Sequence, residues 1–572
     1  MRAYALLLTL CCSLAPLVSL SDYRGLPPGA VADYHLMVPM RDGVGLATDS
    51  YRPGTTGTFP TLLVRDIYSN GSNTLRQRYA RWALENGYAF VFQSTRGRYD
   101  SEGDWNPYFQ EVDDGHDTLT WIENQPWSNG KVGMFGASYL ASVQWLAALG
   151  QHPALKAIAP AMSPGNYYRD VAYPGGAFSL LSRASWGLGL VGSRTNQTYP
   201  IDWISAVKHL PLKDLDQALG LRAKHFDDWL AHPTYDEYWK PLNLENRAPE
   251  MGVPALNIGG WYDVFLRSTL GSFTTMQQEA ATPSARANQR LVLGPWVHGW
   301  NTDKAGEVDF GAAAIIDAEA LQIAWFDHWL KDAPAPAEAK VRIFVMGDNL
   351  WRDEDAWPLA RAQTTPLYLR EGGRLTFDAP TAQRASEAYR YDPLNPVPTL
   401  GGNIMRSELR GPYDQAPLDD REDILRFQTA PLETRMEITG PITAVLYVSS
   451  SAVDTDFMAK LIVVKEDGRA FNLVDGVMRT RFREGYEQET FLTPGEVVRL
   501  ELDLWATSYA LAPGERLRVD ITSSNFPRLA RNLNTGAPFA TGTTAVTAEQ
   551  RIFFDRDRAS HLVLPLIPNA NP

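Results

Sequence analysis

Lys131-Val132-Gly133-Met134-Phe135-Gly136-Ala137-Ser138-Tyr139-Leu140 decides how this chain is read. An apolar strand runs into Gly-x-Ser, and a helix-forming run, Leu140 to Leu149, follows at once. A serine at such a junction sits on a strained turn and projects its hydroxyl above the sheet, where a nucleophile is needed. Gly136 has no Cβ to block the turn, and the first amides of the helix can stabilise an oxyanion. Leu140 stands where the Gly-x-Ser-x-Gly pattern has its second glycine. Gly-x-Ser alone also fits an ordinary strand-to-helix turn, so its meaning depends on partners.

On either side of this stretch, buried strands alternate with helices. His35 to Tyr51 reads as a hairpin around Asp42-Gly43. Thr61 to Arg65 is a strand ending in Asp66-Ile67-Tyr68. Leu75 to Glu85 is a helix stopped at Asn86-Gly87, and Tyr88 to Gln93 is the next strand. Asp113 to Asn124 is helical and Leu155 to Pro160 is a strand. This rhythm implies a mostly parallel sheet, with functional residues at the carboxyl ends of its strands. From 161 to 247 the rhythm lapses into helical stretches such as Trp203 to His209 and Leu212 to Trp229. The sheet pattern resumes with Val253 to Ile258, Arg290 to Leu293 and the helix Leu321 to Lys331. After Pro334-Ala335-Pro336-Ala337, short alternating strands dominate: Val341 to Val345, Thr443 to Val448, Ala459 to Val464, Val497 to Leu504, Arg516 to Ile521 and His561 to Leu566. That is the pattern of a β-sandwich or jelly roll.

The organisation expected is therefore a leader over 1–21, then a sheet domain in two parts, 22–160 and 248–338. A helical cap over 161–247 interrupts it, and an all-β domain over 339–572 follows. At 572 residues the chain is too long for a single core. Its formal charge of −13 argues against a nucleic-acid partner. Arg2, the apolar run Ala5 to Leu20 and Ser19-Leu20-Ser21 have the form of a cleavable export signal, too short for a membrane span. Both cysteines, Cys11 and Cys12, lie inside it, and Leu10 rather than a small residue precedes them, unlike a lipid-anchor site. The rest of the chain then has no disulfide, thiolate metal site or cysteine nucleophile. No metal and no cofactor is called for. A homo-oligomer is compatible with the sequence.

Acyl transfer on a sheet of this kind needs an acid and a base after later strands, in chain order Ser, Asp, His. Of nine histidines, His298 alone stands just past the end of a late buried strand, where its imidazole can take the Ser138 proton and return it to the leaving group. Asp263 follows the strand Val253 to Ile258 and can orient that imidazole. A histidine in a Trp-rich loop, or an aspartate in a turn, is usually structural, but three such residues in order at three strand ends are seldom a coincidence. The oxyanion should meet the amide of Tyr139 and a second donor from an earlier strand end. Tyr68 can supply that donor, or it can be a rim aromatic.

Gly136-Ala137-Ser138-Tyr139-Leu140, Gly260-Trp261-Tyr262-Asp263 and Gly294-Pro295-Trp296-Val297-His298 resemble the three triad motifs of the bacterial cocaine esterase and X-Pro dipeptidyl-peptidase-like family, the CocE/NonD hydrolases. The likeness continues through Met37 to Gly43, Ser94-Thr95-Arg96-Gly97, Ser449 to Phe457 and Ser523 to Pro527, nearly the whole chain. It implies an α/β-hydrolase domain, a helical cap and a C-terminal jelly roll. It also implies Ser138, Asp263 and His298 as the triad, with Tyr68 and the Tyr139 amide as oxyanion donors. Two positions depart from the family pattern. Ala141 stands where relatives often have glycine. Val264, Phe265 and Leu266 replace the acidic residues that hold a substrate ammonium in α-amino-acid ester hydrolases.

The expectation is an exported serine hydrolase that cleaves small-molecule esters, or amides, through an acyl-enzyme. Trp145, Tyr167, Tyr168, Tyr173, Phe178, Trp261 and Phe265 are candidate pocket walls, each able instead to be plain core. Alternatives are an X-Pro dipeptidyl peptidase, for which no amino-terminus anchor is evident, or a β-lactam acylase. More remote is an inert hydrolase fold that binds a carbohydrate or a surface.

Overall fold

The computed structural model describes residues 25–68, 73–191, 200–337, 339–405 and 407–568. The export signal and both cysteines lie outside the described residues. A ten-stranded sheet forms the body of the first half. Its strands are β1 (Val31–Pro39), β2 (Gly45–Arg52), β3 (Phe59–Asp66), β4 (Ala89–Ser94), β5 (Ser128–Ala137), β6 (Leu155–Ala161), β7 (Ala255–Tyr262), β8 (Gln289–Val297), β9 (Val341–Val345) and β10 (Leu350–Glu354). They lie in the order β1-β2-β4-β3-β5-β6-β7-β8-β9-β10. From β4 to β9 every neighbouring pair is parallel, while the hairpins β1/β2 and β9/β10 and the β2/β4 pair are antiparallel.

Both faces of this sheet are covered, which is why its strands read as unbroken apolar runs rather than alternating ones. Successive side chains of β3 point into different cores. Leu63 packs with the helices α2 (Glu111–Glu123) and α3 (Tyr139–Leu149). Leu62 and Val64 pack with α1 (Asn73–Glu85) and with Trp325, Phe326 and Leu330 of a long helix, Ala318–Lys331.

The segment 161–247 contains α4 (Leu180–Gly189) and α5 (Lys224–Ala231), and its Phe178, Leu181, Phe226 and Trp229 extend the core that holds α2 and α3. The helix expected over Leu212 to Trp229 is broken. Gly220 adopts φ +71° between a short turn of helix at Leu215–Ala218 and α5, a backbone conformation that ends right-handed helix. Among the helices that escaped the sequence reading are α4 and α6 (Leu266–Glu279), whose Gly271 and three threonines weaken its helix signal.

The β-rich second half centres on Met436–Ser450. On one edge it pairs with Val498–Leu511; on the other it pairs first with His561–Ile567 and then with Ala548–Phe553. Sharing one edge between two partners lets the strands fold over into a sandwich, with register breaks beside Pro441. One strand expected there belongs elsewhere. Val341–Val345 pairs in parallel with β8 and so extends the hydrolase sheet past residue 338; alternation alone cannot tell which sheet a strand will join. Among the described residues no helix is long and apolar enough to cross a membrane.

Candidate active site

Four parallel strands end at one edge, and each carries a polar residue just beyond it: Tyr68 after β3, Ser138 after β5, Asp263 after β7 and His298 after β8. Ser138 takes φ 63°, ψ −122°, outside the regions a side-chain-bearing residue prefers. The surroundings hold it there. Its N–H donates to Ala161 O at 3.0 Å, and its carbonyl accepts from the amides of Ala141 and Ser142 at 2.9 and 3.1 Å. Gly136 has φ +135°, and a Cβ on it would stand 2.6 Å from the Leu140 Cβ. Leu140, unexpected at this place in the motif, thus packs directly over the glycine that makes the turn.

The Ser138 Oγ lies 3.1 Å from His298 Nε2, and His298 Nδ1 lies 2.7 Å from Asp263 Oδ1. Asp263 is fully buried, and its second oxygen accepts the Phe265 amide at 3.0 Å. The Phe265 ring meets the imidazole edge-on, with centroids 5.2 Å apart. β7 and β8 can approach closely here because Gly260 leaves no room for a Cβ against the Trp296 carbonyl.

The Tyr68 hydroxyl is hydrogen-bonded to Ser138 and accepts the Trp186 indole N–H at 3.0 Å. Burial raises the pKa of this phenol, so it stays protonated and able to donate; the bonds from Trp186 and Ser138 offset part of that rise. The Tyr139 amide opens α3 and has no intrahelical acceptor. The Tyr139 side chain is clamped on the opposite side: its hydroxyl donates to Glu111 Oε1 at 2.9 Å and accepts the Tyr108 amide at 3.1 Å. Glu111 in turn pairs with Arg65 at 2.7 Å, and burial raises its pKa.

Of the residues offered as pocket walls, Phe265 lies against the His298 ring. Trp261 points the other way. Its indole donates to Phe344 O at 2.7 Å and its ring lies 5.7 Å from Trp357, in the core between sheet and sandwich. Trp145 is buried on α3. Tyr173 and Phe178 fill the cap core, 5.2 Å apart, with the Tyr173 hydroxyl on Trp229 O at 2.6 Å. Tyr167 packs on Tyr108, and Tyr168 lies against Tyr173. Large aromatics are needed first to fill the core that two helical layers leave, and spacing alone does not distinguish that use from a pocket.

Four contributors lie far from the motifs. Trp186 and Arg183 come from α4. Asn403, from the C-terminal half, donates to the carbonyls of Trp261 at 3.2 Å and Asp263 at 2.7 Å. Arg410, on the same loop, donates to the His298 carbonyl. Arg183 had a local signal, a lone cation in the apolar run Leu180 to Leu190. Asn403 and Arg410 had none.

The X-Pro dipeptidyl-peptidase (S15 family) profile matches residues 42–300, and that of the X-Pro dipeptidyl-peptidase C-terminal non-catalytic domain matches residues 335–563. The cocaine esterase of Rhodococcus sp. (strain MB1 Bresler) is 40% identical over 571 residues, covering 93% of this chain and 98% of its own. Among solved structures, an aminopeptidase from a marine sediment Thaumarchaeota archaeon is similar with a TM-score of 0.85 and 25% identity, covering 94% of this chain and 97% of its own. An α-amino acid ester hydrolase matches with a TM-score of 0.83 and 27% identity, covering 96% of this chain and all of its own. With this likeness spanning both halves of the fold, the chain belongs to the cocaine esterase and X-Pro dipeptidyl-peptidase (S15) family, the CocE/NonD hydrolases.

Proposed function

We propose that this protein is an exported serine esterase that hydrolyses carboxylic esters through an acyl-enzyme at Ser138. The observation that carries the reading is the Ser138–His298–Asp263 relay, at 3.1 and 2.7 Å, on the strained turn after β5. His298 Nε2 accepts the Ser138 proton as Oγ attacks the ester carbonyl carbon, and Asp263 holds the Nδ1–H and balances the imidazolium. The carbonyl oxygen becomes an oxyanion that accepts from the Tyr68 hydroxyl and the Tyr139 amide. Collapse breaks the bond to the alcohol oxygen, which leaves with the proton from His298. Water then attacks the acyl-enzyme, gives its proton to His298 and releases the acid, restoring Ser138.

The relatives support the ester reading, since one is named a cocaine esterase and another an α-amino acid ester hydrolase. The X-Pro profile favours a second reading, cleavage of an amide after proline, but the residues after Asp263 are Val264, Phe265 and Leu266 and offer a substrate ammonium no carboxylate. A panel of p-nitrophenyl esters beside X-Pro-p-nitroanilides separates the two. Ser138→Ala should lower ester turnover by on the order of 10⁴-fold or more. Turnover unchanged in that variant would refute the assignment.

A further inference from the structure

Arg183 is 3% exposed, yet among the described residues no Asp or Glu forms an ion pair with it. Several other buried arginines are paired: Arg65 with Glu111, Arg479 with Asp456, Arg481 with Asp454 and Arg518 with Asp520. The Arg183 guanidinium instead lies over the rings of Trp186 and Trp229, at 5.4 and 5.7 Å, with one nitrogen 3.5 Å from the Met405 sulfur. Its Nε has no partner. The groups that act on its charge are the phenols of Tyr108 and Tyr68. Tyr68 is the residue bonded to both Trp186 and Ser138, so this cation stands one side chain away from the oxyanion site.

A second guanidinium adjoins the same aromatic group. Arg98 is fully buried, donates to Ile67 O and Leu190 O at 3.1 and 2.8 Å, and lies 4.9 Å over Trp105, which meets Trp186 edge-on. It too forms no ion pair among the described residues and keeps one unpartnered nitrogen, Nη2. A buried charge without a counter-ion is costly; cation–π contacts offset part of that cost, and an arriving anion would offset more. The buried Asp66 carboxylate acts on Arg98, whereas among the described residues only phenols act on Arg183.

We infer that the site selects esters carrying a carboxylate, on the acyl or the alcohol part, held by the field of Arg183 with support from Arg98. This rests on the ester reading above and names its substrate class. The same field opposes a substrate ammonium. A guanidinium in a low-dielectric wall acts at several ångströms, so the carboxylate can be held at the half-buried Trp186 without displacing the cation.

The test uses paired esters of matched shape. On the acyl side these are p-nitrophenyl hydrogen adipate and p-nitrophenyl methyl adipate. On the alcohol side they are 3-acetoxybenzoate and its methyl ester. The wild-type enzyme should favour the anionic member of at least one pair by about tenfold or more in kcat/KM, and the pair that does so tells which part carries the charge. Arg183→Met should bring that ratio close to one, and Arg183→Lys should keep part of it. A wild-type ratio at or below one in both pairs overturns the inference, whether or not the variants fold. So does an unchanged ratio in Arg183→Met, or an equal loss on charged and neutral esters, which would mark the guanidinium as acting on the oxyanion alone. Failure of the ester reading itself is distinguishable, because then the wild type turns over neither neutral ester.

Discussion

Asn403, 140 residues away in sequence, donates its side-chain N–H to the carbonyl of Asp263 at 2.7 Å. With Arg410 on the His298 carbonyl, it lets the C-terminal half hold both loops that carry the proposed base and its orienting acid. A domain whose family is described as non-catalytic therefore holds the loops of the proposed triad. Asn403→Ala removes one donor from each of the Trp261 and Asp263 carbonyls, the latter keeping the Leu266 amide at 3.2 Å, at about 1 kcal/mol for each bond lost. The expected result is a lower Tm together with a roughly tenfold or greater fall in kcat, since small displacements of aligned groups are expensive. A lower Tm with kcat untouched would reduce Asn403 to a structural tie.

Tyr68 and Tyr139 should respond differently to the same change. Tyr68→Phe removes a hydroxyl hydrogen-bonded to Ser138 and should cost about 10²-fold in kcat/KM. Tyr139→Phe keeps the amide assigned to the oxyanion but removes the donor to Glu111 Oε1 and the acceptor of the Tyr108 amide, so it should cost stability, about 1–3 kcal/mol, more than rate. Equal kinetic losses in the two variants would contradict the division of roles.

Gly260→Ala should be severe. Its added Cβ meets the Trp296 carbonyl where β7 and β8 converge on Asp263 and His298, and two backbones cannot both yield there. Loss of most activity and a depressed Tm are expected; a variant with wild-type Tm and activity would show the strand ends to be looser than described.

His225 makes the cap sensitive to acid. Burial between Trp105 and Trp229 pushes its pKa down from 6.5 to about 4, against a small opposing pull from its bond to Gly187 O. The folded state holds the neutral ring, so this contribution is complete above the unfolded value near 6.5 and is lost as pH falls towards 4. The loss is on the order of 3 kcal/mol. Between about pH 7.5 and about pH 4.5 the Tm of wild type should drop further than that of His225→Gln; parallel drops would exclude His225 as a source.

Strand ends were legible because a buried parallel strand is an apolar run closed by polar residues, and Asp66-Ile67-Tyr68, Ser138, Asp263 and His298 all follow such runs. The elbow carried its own backbone signal in Gly136. The pocket was not legible, because Trp145, Tyr173, Phe178 and Trp261 have the composition of walls and the burial of core. Nor were Asn403 and Arg410, whose roles arise only when the C-terminal half docks. Val341–Val345 alternates like a sandwich strand, and only its pairing with β8 places it in the other sheet.

The central claim is that Ser138 is the acylated nucleophile, and the most direct measurement is peptide mapping after reaction with a fluorophosphonate. One adduct per chain is expected on the peptide containing Ser138, with none in Ser138→Ala and slow formation in His298→Ala. Absence of an adduct in the wild type, or an adduct on another residue that persists in Ser138→Ala, would contradict it.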